Sequence, residues 1–146
     1  MAVASPVAEN IERSERFVEQ AFNARNLDIV DELVADDYVT HDVPGAVSIE
    51  GKDAYRDYIA SIHAGFSDLT AEVETCFGQD DLVCTRTSYR GTHDGEFMGV
   101  PATGKSVAIT GTTITRIEDG KMVETWANVD TLGLLQQVGV VDIPTN

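Results

Sequence analysis

The sequence is short of cysteine, of basic residues and of long apolar runs, and each shortage removes a class of function. Its two cysteines, Cys76 and Cys84, are too few for a metal cage, and their spacing is not that of a CxxC redox pair. They flank the turn Gly78-Gln79-Asp80-Asp81 with a slight offset, which allows an approach across a hairpin. In a cytosol the expectation is two thiols buried as small hydrophobes. Only Lys52, Lys105 and Lys121 are lysines, and Lys and Arg together number 10. A chain so poor in cations is not expected to bind nucleic acid or an anionic membrane surface. No apolar run reaches the roughly 18 residues that span a bilayer. The start, Met1-Ala-Val-Ala-Ser-Pro6, shows no basic region followed by an apolar stretch, so the expected location is cytoplasmic. No internal repeat, low-complexity segment or interdomain linker is found.

Negative charge is what the chain has in excess. Against those 10 cations stand 25 acidic residues, for a net charge of −15. Such an excess favours solubility but strains the compact state by self-repulsion, which salt screens. A salt-rich, halophilic setting is therefore expected, with an ordinary acidic protein as the alternative. A melting midpoint that rises with salt separates the two. The length of 146 residues and the 42% hydrophobic content fit one domain over 1–146 with a real core.

The first half reads helical. Ile11, Phe17, Val18, Ala21 and Phe22 share a face, with Pro6 at the helix start and a break at Asn23-Ala24-Arg25-Asn26. Asn26 is placed to cap a second short helix carrying Leu27, Val30, Leu33 and Val34, ended by Asp36-Asp37. A short strand, Tyr38–His41, precedes turn chemistry at Asp42-Val43-Pro44-Gly45. A third helix from about Gly51 to Phe66 bears the stripe Tyr55, Tyr58, Ile59, Ile62, Phe66. From Thr70 the pattern switches to period two and β-branched residues. Strands are predicted at 70–77, 82–92, 106–117 and 122–129, with Asp119-Gly120 as a tight hairpin and a last helix from about Asp130 to Val138. Helices followed by an antiparallel meander predict an α+β fold, the helices on one face of a curled antiparallel or mixed sheet. The hollow so enclosed is a natural small-molecule site.

The segment Arg90-Gly-Thr-His93-Asp-Gly-Glu-Phe-Met-Gly99-Val-Pro-Ala-Thr-Gly104-Lys resembles the hallmark loop of SnoaL-like polyketide cyclases. Similar in the same order are Asp36–Asp42, Ala64–Leu69 and the tail Ile117–Gly139, with Glu124, Trp126 and Asp130. The sequence departs at Ser67 and Ala102, both where the family often has proline. The resemblance implies the nuclear-transport-factor-two-like cone fold and cofactor-independent acid–base chemistry, by an enol or aldol route, on a small apolar carbonyl compound. It also implies a homodimer.

The resemblance places a catalytic carboxylate at Asp130, where a dry pocket would raise its pKa and make it a proton shuttle. The plainer reading is a helix cap. His93 and His41 are candidates to donate to a developing enolate, or else to organise a loop and a turn. His63 reads as packing. Trp126 and Asn128 share the strand parity of Asp130, as do Met122 and Glu124, which suggests one face looking into the cavity. Arg86 either faces solvent or meets an acid such as Glu124. Tyr58, Tyr89, Phe97 and Met98 are candidate substrate-lining residues. His41, His93, Asp42 and Glu96 match no metal-ligand spacing, so no metal is expected. Gly91, Gly95, Gly99 and Gly104 match no nucleotide loop. Two rival readings are a non-catalytic binding module and a water-activating hydrolase of the same fold.

Overall fold

In the computed structural model, which describes residues 6–142 and 144, the chain opens with helix α1, Pro6–Val18. Its last turns widen into a π-helical segment, Glu19–Asn23, where the Ala24 amide reaches back to the Glu19 carbonyl at 2.9 Å. The extra residue per turn re-aims the side chains. It brings Phe22 edge-on to Tyr89, 5.9 Å between ring centroids. It also sets Asn23 against the third strand, where its amide both donates to and accepts from the Ala71 backbone at 2.8 and 2.7 Å.

Helix α2, Asp28–Leu33, follows Asn26, whose side chain accepts from the Asp28 amide at 3.2 Å. It ends earlier than Asp36-Asp37. The chain turns extended at Val34, and strand β1, Val34–Val43, carries those two aspartates along its exposed side. Gly45, at φ +91°, turns the chain into a short edge strand β2, Ala46–Glu50, which the sequence pattern did not reveal. Helix α3, Lys52–Gly65, then leads to β3 (Thr70–Gln79), β4 (Leu82–Thr92), β5 (Ser106–Glu118), β6 (Lys121–Val129) and helix α4 (Thr131–Gln137). Between β5 and β6 both Asp119 and Gly120 take positive φ, 51° and 76°. That is the conformation a two-residue hairpin demands.

Among the described residues, six strands form one sheet in the order β2-β1-β6-β5-β4-β3. The β1–β6 pair is parallel and the others are antiparallel. The sheet is mixed, with the helices on its inner face, and the architecture is α+β. One apolar cluster joins α1, α2 and α3 to the β5–β6 hairpin through Phe17, Val30, Tyr38, Ile59, Ile117 and Met122. A second, of Phe66, Leu69, Val107, Leu134 and Val138, closes the other end beneath α4. Full burial of each large side chain contributes about 1.5–3 kcal/mol.

The two sides of the sheet follow from register. Thr85, Thr113 and Ala127 sit opposite one another on the inner face. On the outer face, Phe77, Cys84, Ile114, Trp126 and His41 form one row across five strands. A register shift pairs Ile117 with Met122 but Arg116 with Glu124. This bulge turns Met122 inward and Glu124 outward, so the two do not share a face as plain alternation predicts. Cys76 and Cys84 also end up on opposite faces. Both are free, and Cys76 Sγ meets Thr85 Oγ1 at 3.5 Å.

Candidate functional site

The inner face, α1 and α3 enclose a cavity of about 150 Å³, similar in size to the ~150 Å³ apolar cavity known to take up benzene. Its aromatic wall comes from Phe17, Phe22, Tyr55, Tyr58 and Phe66 on the helical side. Its floor is a ladder of threonines, Thr40, Thr85, Thr87, Thr113, Thr115 and Thr125, presented by alternation along four strands. Phe97 and Leu134 close one end. Among the described residues, the polar side chains of the lining are all hydroxyls, and none of them is a carboxylate, an imidazole or a cation.

Burial keeps those hydroxyls protonated. It pushes the phenols of Tyr38, Tyr55, Tyr58 and Tyr89 up from their ordinary value, because a phenolate has no compensating charge there. Several are already paired. Tyr58 donates to the Pro44 carbonyl at 2.6 Å, and Thr115 and Thr125 share a hydrogen bond of 2.8 Å. Ser14 Oγ and Tyr38 Oη are different, being buried with no hydrogen-bond partner. The Thr40, Thr125 and Tyr55 hydroxyls neighbour Tyr38, but none meets it at hydrogen-bonding distance and angle. A buried hydroxyl left unpaired costs about 1–3 kcal/mol.

Of the catalytic and substrate-binding candidates named from sequence, Tyr58, Tyr89 and Phe97 line the cavity, and the others do not; Met122 lines it as well. Asp130 is exposed and caps α4, its Oδ1 accepting from the Gly133 amide at 2.9 Å. The expected buried carboxylate is thus spent on a helix end. His93 is only 1% exposed, yet it serves the loop that follows β4. Its Nδ1 shares a hydrogen bond with Thr103 Oγ1 at 2.9 Å, and its backbone pairs with Thr103, Gly104 and Lys105. Its ring packs on the back of Phe66, at 5.4 Å.

His41, Trp126 and Asn128 all belong to the outer face. His41 Nε2 donates to Glu124 at 2.8 Å and stacks on Trp126. The Arg116 guanidinium covers Trp126 at 5.2 Å and also reaches Glu124 at 3.1 Å. Arg116, not Arg86, is therefore the arginine that meets Glu124, and Arg86 is exposed. Asn128, exposed, stands opposite Thr112. Met98 lies on the surface beside Gly45, 37% exposed. His63 is a packing residue, donating from Nε2 to the Ala21 carbonyl at 2.8 Å. Among the described residues, no three His, Cys, Asp or Glu side chains are grouped to hold a metal ion.

The motif around His93 is a joint. The Asp94 and Gly95 amides both donate to the Gly65 carbonyl at 3.1 Å. A Cβ on Gly95 would lie 2.0 Å from the Ala64 carbonyl oxygen, so only glycine fits. Asp94 accepts from the Ser67 amide and hydroxyl, and Asp68 from those of Thr92. These hydrogen bonds hold both carboxyls below the usual carboxylate range.

A mixed sheet curled over helices around an apolar pocket defines the cone-shaped nuclear-transport-factor-two-like fold. The family model for SnoaL-like polyketide cyclase matches residues 12–138, and the chain belongs to that family. A candidate SnoaL-like polyketide cyclase from Jannaschia sp. CCS1 superposes with a TM-score of 0.85 at 23% identity, over 97% of this chain and 100% of that one. IdmH from Streptomyces antibioticus, described as a candidate polyketide cyclase, gives a TM-score of 0.74 at 34% identity, over 88% and 97% of the two chains. AclR from Streptomyces galilaeus, described as a candidate hydroxylase, gives 0.80 at 28%, over 94% and 86%. No curated protein sequence matches significantly. Among the described residues no helix is long and apolar enough to cross a membrane.

Proposed function

We propose that the protein performs cofactor-independent carbonyl chemistry, of the cyclase or isomerase type, on a small, neutral, largely apolar carbonyl compound held in the pocket. One observation carries this reading: the lining is apolar, with hydroxyls as its polar side chains, in a chain of a cyclase family. An intramolecular aldol closure suits such a site. The enol carbon bonds to a second carbonyl carbon, whose π pair moves to its oxygen, and the enol proton ends on that oxygen. Substrate and product are isomers, so nothing is oxidised, reduced or consumed.

The pocket contributes confinement of a flexible substrate near its reacting geometry. Its phenols, held protonated, donate to the oxygen on which charge grows. Because Asp130 faces solvent, the proton relay in this proposal runs over hydroxyls and substrate oxygens. A hydrolase that activates water through paired acids and an arginine has no such groups in this lining.

A neutral 1,3-dicarbonyl, 1-phenylbutane-1,3-dione, tests the proposal. Its enol–keto interconversion is followed by ultraviolet absorbance, and its α-deuteration in D2O by NMR. The expected result is a rate at least about tenfold above buffer, unchanged in Asp130→Asn. Saturable binding with a rate equal to buffer would overturn the catalytic reading in favour of a second, a non-catalytic binding module. The absence of carboxylate and imidazole from the lining favours that second reading.

A further inference from the structure

We infer that Ser14 Oγ and Tyr38 Oη are docking points for a neutral oxygen, a carbonyl or hydroxyl, carried by the ligand of this pocket. The inference rests on the proposed small-molecule role of the pocket and adds which ligands it takes and which way round they enter.

The two hydroxyls share three properties. They line the cavity, they are buried at 8% and 0% exposure, and they have no hydrogen-bond partner in the protein. They come from different elements, α1 and β1, and face the one cavity. Ser14 is one helical turn before Phe17, whose ring stacks on Tyr55 at 6.0 Å, and Tyr55 packs on Tyr38 at 4.8 Å. A helical serine commonly satisfies its hydroxyl on the carbonyl four residues back. Ser14 leaves its hydroxyl free. Thr125, which flanks Tyr38, is committed to Thr115. Hydroxyls stay unpaired in a folded interior when something else completes them.

The lining dictates the chemistry of that something. It contains no cation to receive a carboxylate and no anion to receive an amine, so a charged ligand would be stripped of water without recompense. A hydroxyl donor suits an uncharged acceptor oxygen. The rings of Phe17 and Tyr55, stacked, and of Tyr38, tilted against Tyr55, suit a flat, unsaturated frame. The ligand class is a neutral ring or conjugated compound with an oxygen at its leading end.

Acetophenone and ethylbenzene, equal in shape and differing by C=O against CH2, are the probes. Dissociation constants are measured by NMR titration on wild type, Tyr38→Phe, Ser14→Ala and the double variant, which cancels the difference in hydration of the probes. The acetophenone-to-ethylbenzene preference is expected to fall about fivefold to tenfold in Tyr38→Phe and further in the double variant, with ethylbenzene affinity unchanged. Benzoate is expected not to bind. Unliganded Tyr38→Phe is expected to melt a few degrees above wild type, since it sheds an unsatisfied hydroxyl.

If both probes bind and their ratio is the same in every variant, the inference is overturned while the pocket reading stands; a resident water on the hydroxyls would give that result. A Tyr38→Phe protein that melts below wild type also overturns it, because the hydroxyl would then be part of the scaffold. If neither probe binds, the inference and the pocket reading both fall.

Discussion

Residues 127 and 128 are neighbours on one strand, yet Ala127 is buried in the pocket wall at 3% exposure and Asn128 stands in solvent. The same division runs along the whole sheet. Inward positions on β4, β5 and β6 hold threonine, valine, isoleucine, alanine and glycine, with Tyr89 and Met122. Outward positions one residue away hold Arg86, Arg116, Glu124, Trp126 and Asn128. The ionisable groups that drew attention in the sequence gather on the outer face or in the joints, while the enclosed side is left to hydroxyls. A protein of net charge −15 has thus kept charge out of its pocket lining. In such an interior a hydroxyl is the strongest polar group that costs no ionic desolvation.

The largest effect that can break this contrast is a charge on the wrong side. Ala127→Asp puts an unpaired carboxylate into the lining, and an unpaired buried charge costs about 3–5 kcal/mol. That is a large part of the roughly 5–15 kcal/mol that holds a domain together. Asn128→Asp, one residue on, should stay within about 0.5 kcal/mol. Urea midpoints of the two variants give the comparison directly. Equal midpoints would mean the inner face is open to water and the pocket is not a dry one.

Much of this division was legible in the sequence, but its sign was not. Period-two alternation and β-branched residues outline β3 to β6, and Asp119-Gly120 fixes the last hairpin. Alternation also puts Trp126 and Asn128 on one face, correctly. What alternation lacks is a label for which face is inside. Arg86, Arg116 and Glu124 supply one, since charged side chains go outward and the register ties Trp126 to the same side. Reading Trp126 as a pocket wall lets the bulky aromatic outvote the charges. The threonine ladder was equally visible, at 85 and 87 and at 113 and 115. Its residues count toward strand propensity, so their hydroxyls pass as neutral filling. The π-helical turn at Glu19–Asn23 and the five-residue strand β2 leave no comparable pattern. Each is fixed by tertiary contacts, with Ala71 in one case and with β1 in the other.

A smaller effect sharpens the contrast at the seam where β6 leaves the sheet. If Asp130 is a cap and nothing more, Asp130→Ala costs about 1 kcal/mol. That lowers the melting midpoint by a few degrees, while Asp130→Asn, also a good cap, costs less. In neither variant should turnover of the dicarbonyl probe change. A drop of about tenfold or more in rate with an unaltered melt would return Asp130 to the chemistry and make the α4 end of the pocket its mouth.

The smallest effect concerns the helical side, where His63 ties α3 to the Ala21 carbonyl and leaves Nδ1 buried without a partner. Burial depresses its pKa, the Ala21 hydrogen bond opposes that, and Arg25 adds to it. The unfolded chain therefore takes up a proton at about pH 6.5, while the folded chain resists until lower pH. The stabilisation is complete above that unfolded value and is lost as pH falls from about 6.5 through the lower folded value. His63→Gln keeps a donor for Ala21 and does not titrate. Wild type should thus lose melting temperature relative to this variant between about pH 7.5 and 5.5, a window in which ordinary carboxylates stay ionised. A gap between the two proteins that is constant across that window would show that the proton reaches Nδ1 without penalty. The helical wall would then be as open to charge as the outer face of the sheet.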